Sequence, residues 1–179
     1  RARQMTNLAE FGARALVASD FAALMQEAVS TVARSLEIEF AKVLELTPDG
    51  HAFVLRAATG FDDRLIGCTT VEAGAHSQAG YTLRSKAPVV VEDLSRESRF
   101  VPPTLLTEHG IVSGLSVVIP GSERPFGVFG AHARTKRAFT TDEANYLQSV
   151  ANVLGEAIER ARAEHALRDQ LARYARLMR

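Results

Sequence analysis

One cysteine, Cys68, is the only thiol among 179 residues. A lone thiol excludes an internal disulfide and a Cys-rich zinc site, and it suits a reducing cytosol. Net charge is missing too: 21 acidic residues balance 21 basic ones. A chain-wide electrostatic footprint for nucleic acid or an anionic membrane is therefore absent. No apolar run is long enough to span a bilayer, and no signal-peptide pattern opens the chain. The histidines His51, His76, His109, His132 and His165 keep no metal-type spacing such as His-x3-His. A nucleophile–base motif and a phosphate-binding glycine loop are also lacking, which counts against an enzyme.

What is present is a core-forming chain with β-rich runs between helical ends. Residues 1–18 are good helix formers with Met5, Leu8, Phe11, Ala15 and Leu16 near one face. Ser19 is the expected N-cap of a second helix reaching Leu36, with Leu24, Met25, Ala28, Val29 and Val32 in its buried stripe. Two β-like runs, 40–46 and 52–58, flank Thr47-Pro48-Asp49-Gly50 and predict a hairpin. Lys42, Glu45, His51 and Arg56 predict one face of that hairpin to be the wetter one.

The segment 59–110 is irregular: a helical turn near 61–65, a helix over 75–85, a strand over 88–93 and a short helix from Thr104 to His109 ahead of Gly110. Such excursions over a sheet are where pockets are built. The run Ile111-Val112-Ser113-Gly114-Leu115-Ser116-Val117-Val118-Ile119, a Gly/Pro turn and Phe126-Gly127-Val128-Phe129-Gly130-Ala131-His132-Ala133 make a second hairpin. Neither run alternates, so both faces are expected to be covered. Gly114, Gly127 and Gly130 allow a helix or a ligand close to the backbone. From Thr141 a long helix starts on a Thr cap, with Asp142 and Glu143 in its first turn. Leu167, Leu171, Tyr174 and Met178 continue it at heptad spacing and predict a coiled-coil seam. Arg1 in place of Met, and a helical pattern still running at Arg179, are read as the ends of a piece of a longer protein.

These pieces together resemble a GAF domain. The resemblance rests on 88–100, on the hairpin 110–130, and on Phe139-Thr140-Thr141-Asp142-Glu143 followed by Leu147, Val150, Leu154 and Ala157-Ile158-Glu159-Arg160. It implies an α+β fold: a GAF/PAS-like central antiparallel sheet, terminal helices packed on one face, and loops with short helices over the other. It divides the chain into an N-terminal signalling helix (1–18), the GAF domain (19–160) and a truncated coiled-coil-like linker helix (161–179). It further implies a cytoplasmic, non-enzymatic sensor from a histidine kinase or a cyclic-di-nucleotide enzyme. Such a sensor binds a small-molecule effector, forms a homodimer through its terminal helices and relays the signal to an output domain. The alternatives are a ligand-free dimerisation module and a haem-based gas sensor.

No particular cofactor follows. Cys68 precedes Thr69 and not His, which argues against a covalent bilin; one cysteine does not serve the methionine-sulfoxide reductase chemistry of the family. His109 stands where haem-binding relatives carry an axial ligand, but a lone histidine at a helix end is ordinary. The cyclic-nucleotide motif is imperfect, since Thr135 replaces its Asn; Lys136, Phe139 and Asp142 are left as a structural corner. The candidate ligand-binding residues are Tyr81, Arg99, His109, Ser113, Ser116 and His132. Arg99 beside Phe100 suits an anion. Ser113 and Ser116 have opposite parity, so one of them at most faces a pocket.

Overall fold

Local chemistry sets most of the elements in the computed structural model, which describes residues 2–179. Helix α1 (Ala2–Val17) is followed by α2 (Phe21–Leu36), whose N-cap is Asp20 and not Ser19: the Asp20 carboxylate accepts from the Ala23 amide. Strands β1 (Phe40–Leu46) and β2 (Ala52–Thr59) form the first hairpin. Its turn is held by Asp49, which accepts from Thr47 Oγ1 and the His51 amide, with Gly50 at φ 77. A strand absent from the sequence reading, β3 (Thr70–Glu72), pairs with β2. Helix α3 (Gln78–Ser85) is shorter than 75–85 because Ser77 caps it, accepting from the Gly80 amide. Strand β4 (Val89–Val91) is likewise shorter than expected, since Asp93 turns the chain into a 3₁₀ turn at Leu94–Arg96. Helix α4 (Thr104–Glu108) precedes β5 (Ser113–Ile119) and β6 (Gly127–Ala133), the second hairpin.

The corner into α5 (Thr141–Leu177) is a capping box in which Thr140 and Glu143 satisfy each other's amides. Phe139 is buried there with the Arg137 guanidinium 4.8 Å from its ring. Arg137 pairs with Glu143 at the corner, and Lys136 reaches Asp93, 3.3 Å away. One uninterrupted helix of 37 residues then runs through the polar positions Arg160 and Glu164.

The six strands form one antiparallel sheet in the order β3-β2-β1-β6-β5-β4. This is the expected α+β architecture. On one face, α1, α2 and α5 close a core with Val43, Leu115, Val117, Phe129 and Ala131 of the central strands. On the other, α3, α4 and the connecting loops close a second core around Phe40, Leu44, Phe53, Leu55, Val91 and Val128. Covering on both faces explains why β5 and β6 do not alternate.

Candidate functional site

Strand register gathers polar residues inside the second core. Lys42 of β1 lies opposite Gly130 of β6, and Gly130 lies opposite Ser116 of β5. One step along, Phe40 is opposite His132, and His132 is opposite Gly114. Both rows share the face of Leu44 and Val128, and α3 roofs them with Gln78 and Thr82. The glycines are spatially required. A Cβ on Gly130 would sit 2.8 Å from His132 Nε2 and 3.2 Å from Lys42 Cε, and one on Gly114 would collide with His132 Nδ1. A close approach to the backbone was expected there; its occupant is the His132 ring.

The roof hydrogen bonds have one consistent direction. Thr82 Oγ1 donates to the Gln78 carbonyl at 2.7 Å, so in its 2.6 Å contact with Ser116 the serine donates. Ser116 in turn accepts from Gln78 Nε2 at 3.3 Å. That circuit uses both hydroxyls and the Gln78 amide nitrogen. Gln78 Oε1 and both ring nitrogens of His132 have no hydrogen-bond partner, although His132 is only 1% exposed. Lys42 is 5% exposed. Burial alone brings its pKa down from 10.5 to about 7. Burial first, and the Lys42 charge second, hold His132 well below the usual histidine range; the Ser113 backbone beside the ring pulls the other way without closing a hydrogen bond. Among the described residues, no carboxylate lines this cavity. Its free volume is about 10 Å³, room for about one water molecule.

The structure separates the six sequence candidates. Ser116 and His132 line the cavity. Ser113 shares the parity of Leu115 and Val117 on the helix-covered face, and its Oγ donates to the Thr135 carbonyl at 2.7 Å. Tyr81 and Arg99 lie outside the cavity lining: Tyr81 is half-buried against Phe100, and Arg99 donates to Glu97 and to the Val90 carbonyl. His109 donates through Nδ1 to the Leu105 carbonyl and stacks edge-on to Phe61 at 4.8 Å. It belongs to a separate open groove of about 490 Å³ with His76, Glu72 and Glu108. Sequence reasoning did not propose Lys42, Gln78 or Thr82 for the site; Lys42, expected on the wetter face of the first hairpin, is buried instead. The available signal was Lys42 itself, which interrupts the apolar phase of Phe40 and Leu44 two residues to either side. Among the described residues, no group of three or more His, Cys, Asp or Glu side chains is placed to hold a metal ion.

A family model described as a GAF domain matches residues 18–159. No curated protein matches the chain. Among solved structures, the GAF domain of a phosphoenolpyruvate-protein phosphotransferase from Coxiella burnetii aligns at TM-score 0.82 and 16% identity, over 92% of this chain and 98% of that one. The free methionine-R-sulfoxide reductase of Neisseria meningitidis, solved with its substrate, aligns at 0.77 and 17% identity over 90% and 91%. The chromophore-binding domain of a bacteriophytochrome from R. palustris aligns at 0.72 and 19% identity, over 89% of this chain and 62% of that one. At these identities the likeness is one of fold.

Proposed function

The chain belongs to the GAF domain family, and from that premise we propose that it is a non-enzymatic, cytoplasmic sensory domain. A small-molecule effector enters between the sheet and segment 74–110, and the terminal helices relay its arrival to an output domain. The observation that carries this reading is the polar interior: His132 and Gln78 Oε1 have no hydrogen-bond partner and sit beside the buried Lys42, in a core where polar groups are costly unless partnered. A ligand supplies the missing partners.

The relay has a physical route. β5 and β6, which bear Ser116 and His132 on the cavity side, present Leu115, Val117 and Phe129 to the core of α2 and α5 on the other. Gln148 of α5 donates to the Val118 carbonyl at 3.0 Å. Tyr146 of α5 and Asn7 of α1 both donate to Ser35 Oγ of α2, at 2.9 and 2.6 Å. A shift of the hairpin therefore reaches all of the terminal helices. An effector moves that equilibrium only through different affinities for two helix arrangements. Residues 162–179 are exposed along their whole length, with Leu167, Leu171 and Tyr174 showing 57%, 60% and 65% of their surfaces. A solvated helix of this kind is marginal alone, so residues 161–179 pair with a second copy as a parallel homodimer.

The test is a metabolite panel read by thermal unfolding, followed by hydrogen exchange with any hit. A ligand at about 100 times its Kd adds about 2.7 kcal/mol of stability, and protection is expected in 74–110, β5 and β6. Protection confined to 1–36 or 141–179 overturns the site. No response to any compound reduces the domain to a dimerisation module.

A further inference from the structure

We infer that the cavity selects a compact carboxylate bearing one hydrogen-bond donor, its carboxylate held by Lys42 and His132 and its donor by Gln78 Oε1. The inference rests on the sensor reading above and names the ligand class for that site. It follows from counting which polar atoms are still unused. Ser116, Thr82 and Gln78 Nε2 already satisfy one another. What remains is two His132 ring nitrogens and the Gln78 carbonyl oxygen, with the buried Lys42 in the same lining.

Each alternative class leaves more unmatched than a carboxylate with one donor, which leaves only the acceptor nitrogen of His132. A cationic ligand meets a lysine and no carboxylate. An apolar ligand leaves Lys42 and His132 without partners in the core. A phosphate carries about one to two negative charges near pH 7 against the one lysine in the lining. A carboxylate takes one charge-assisted bond from Lys42 and one bond from the protonated nitrogen of neutral His132. A hydroxyl or amino group next to that carboxylate then gives Gln78 Oε1 its donor. The titratable groups in the lining are Lys42 of β1 and His132 of β6; β3 contributes Val71, α3 Gln78 and Ala79, β5 Ser116, and the loop Pro103. No other charge there competes for the anion.

Size points the same way. The cavity has room for about one water, so the ligand is small and α3 must lift to admit it. The helix has little slack as it stands, because a Cβ on Gly80 would run into the Ala73 and Gly74 carbonyls. Binding thus displaces α3 as a unit with the Ala73-Gly74 backbone against which it packs, and the opening is coupled to ligand entry.

The experiment uses the full 179-residue chain and near-isosteric pairs: acetate and acetamide, glycolate and glycolamide, lactate and lactamide, with inorganic phosphate as a further anion. Unfolding temperature and calorimetry are read for the wild type and for Lys42→Met. Glycolate and lactate are expected to stabilise the wild type, acetate less because it lacks the donor, and the amides not at all. Lys42→Met should weaken carboxylate binding by ~10–100-fold, the worth of a charge-assisted hydrogen bond. Binding should also weaken as pH rises through about 7, where Lys42 loses its proton. If Lys42→Met fails to fold, the wild-type carboxylate–amide comparison still decides. Amides binding as well as carboxylates, phosphate binding more tightly than glycolate, or undiminished carboxylate binding by folded Lys42→Met overturns the inference. A response only to neutral or cationic metabolites also overturns it while leaving the sensor reading intact. Silence from every compound of this set removes the inference, and the metabolite panel then decides the sensor reading.

Discussion

The two faces of one sheet are built to different ends. Beneath α1, α2 and α5 the core is made of Leu36, Leu115, Val117, Phe129, Leu147, Val150 and Leu154, all 2% exposed or less. Thr31 Oγ1 is the only unpartnered buried side-chain atom recorded there among the described residues. Across the sheet, the same strands deliver Lys42, His132 and Ser116 into an interior where three side-chain atoms lack partners. Apolar contact is non-directional and carries stability. Unpaired polar groups cost stability, and they persist where something other than folding makes use of them. The helix face is thus the store of stability and the loop face the place where it is given up.

That division is best challenged by its largest consequence. Phe129 is fully buried on the helix face, so Phe129→Ala should cost about 3–5 kcal/mol, read from denaturant midpoints. A loss well under about 1 kcal/mol would mean that this core is slack and that the asymmetry between faces is false.

Lys42→Met should do the reverse on the other face. With the Lys42 pKa lowered from 10.5 to about 7, the charged folded form carries a penalty on the order of 3–5 kcal/mol. Below about pH 7 both folded and unfolded states hold the proton, and the penalty is complete. Between about 7 and 10.5 the unfolded chain still holds it while the folded chain has released it, so wild-type stability climbs with pH. His132, whose folded pKa is also depressed, adds a rise of the same sign below about 6.5. Lys42→Met should therefore be the more stable protein near neutrality, and the gap should close toward pH ~9.5. Measurement stops there because burial raises the Tyr146 pKa, which takes stability away at higher pH. Parallel wild-type and variant curves across that range would show that Lys42 reaches solvent.

How much of this was legible in the sequence depended on how local the cause was. The start of α5 was readable because Thr140 and Glu143 cap it within one turn, and the first hairpin because Pro48, Asp49 and Gly50 carry their own turn chemistry. Strand β3 was not, because Thr70-Val71-Glu72 becomes a strand only through pairing with Ala52–Val54. The helix-side core followed from the stripes of α2 and α5. The polar cavity required more. Lys42, Ser116 and Gln78 are far apart in sequence, and only the register of three strands and the cap at Ser77 brings them together. Parity allowed one of Ser113 and Ser116 to face a pocket; choosing between them needed to know which face the helices took.

A smaller effect sharpens the contrast at the glycines. Gly114→Ala pushes a methyl group into the His132 ring and should cost about 1–3 kcal/mol, the usual range for overpacking a core. The test is a cycle with His132→Ala. If the ring is what the methyl meets, the double variant recovers the loss, with a coupling of about 0.5–3 kcal/mol. Additive losses would place the strain in the backbone and not in the cavity.

The smallest expected effect examines the exception on the stable face. Thr31 is 1% exposed and its Oγ1 has no partner, so Thr31→Val keeps the shape and removes a hydroxyl that forms no bond. Threonine and valine differ little in helix preference, which leaves desolvation as the main difference. The change should be neutral or stabilising by up to ~1 kcal/mol. It should not alter any ligand response, since Thr31 belongs to α2 on the side away from Lys42. A loss above ~1 kcal/mol would mean that the hydroxyl is satisfied in solution, by water for example. An altered ligand response would mean that the cavity and the helix core are more tightly coupled than the packing of β5 and β6 implies.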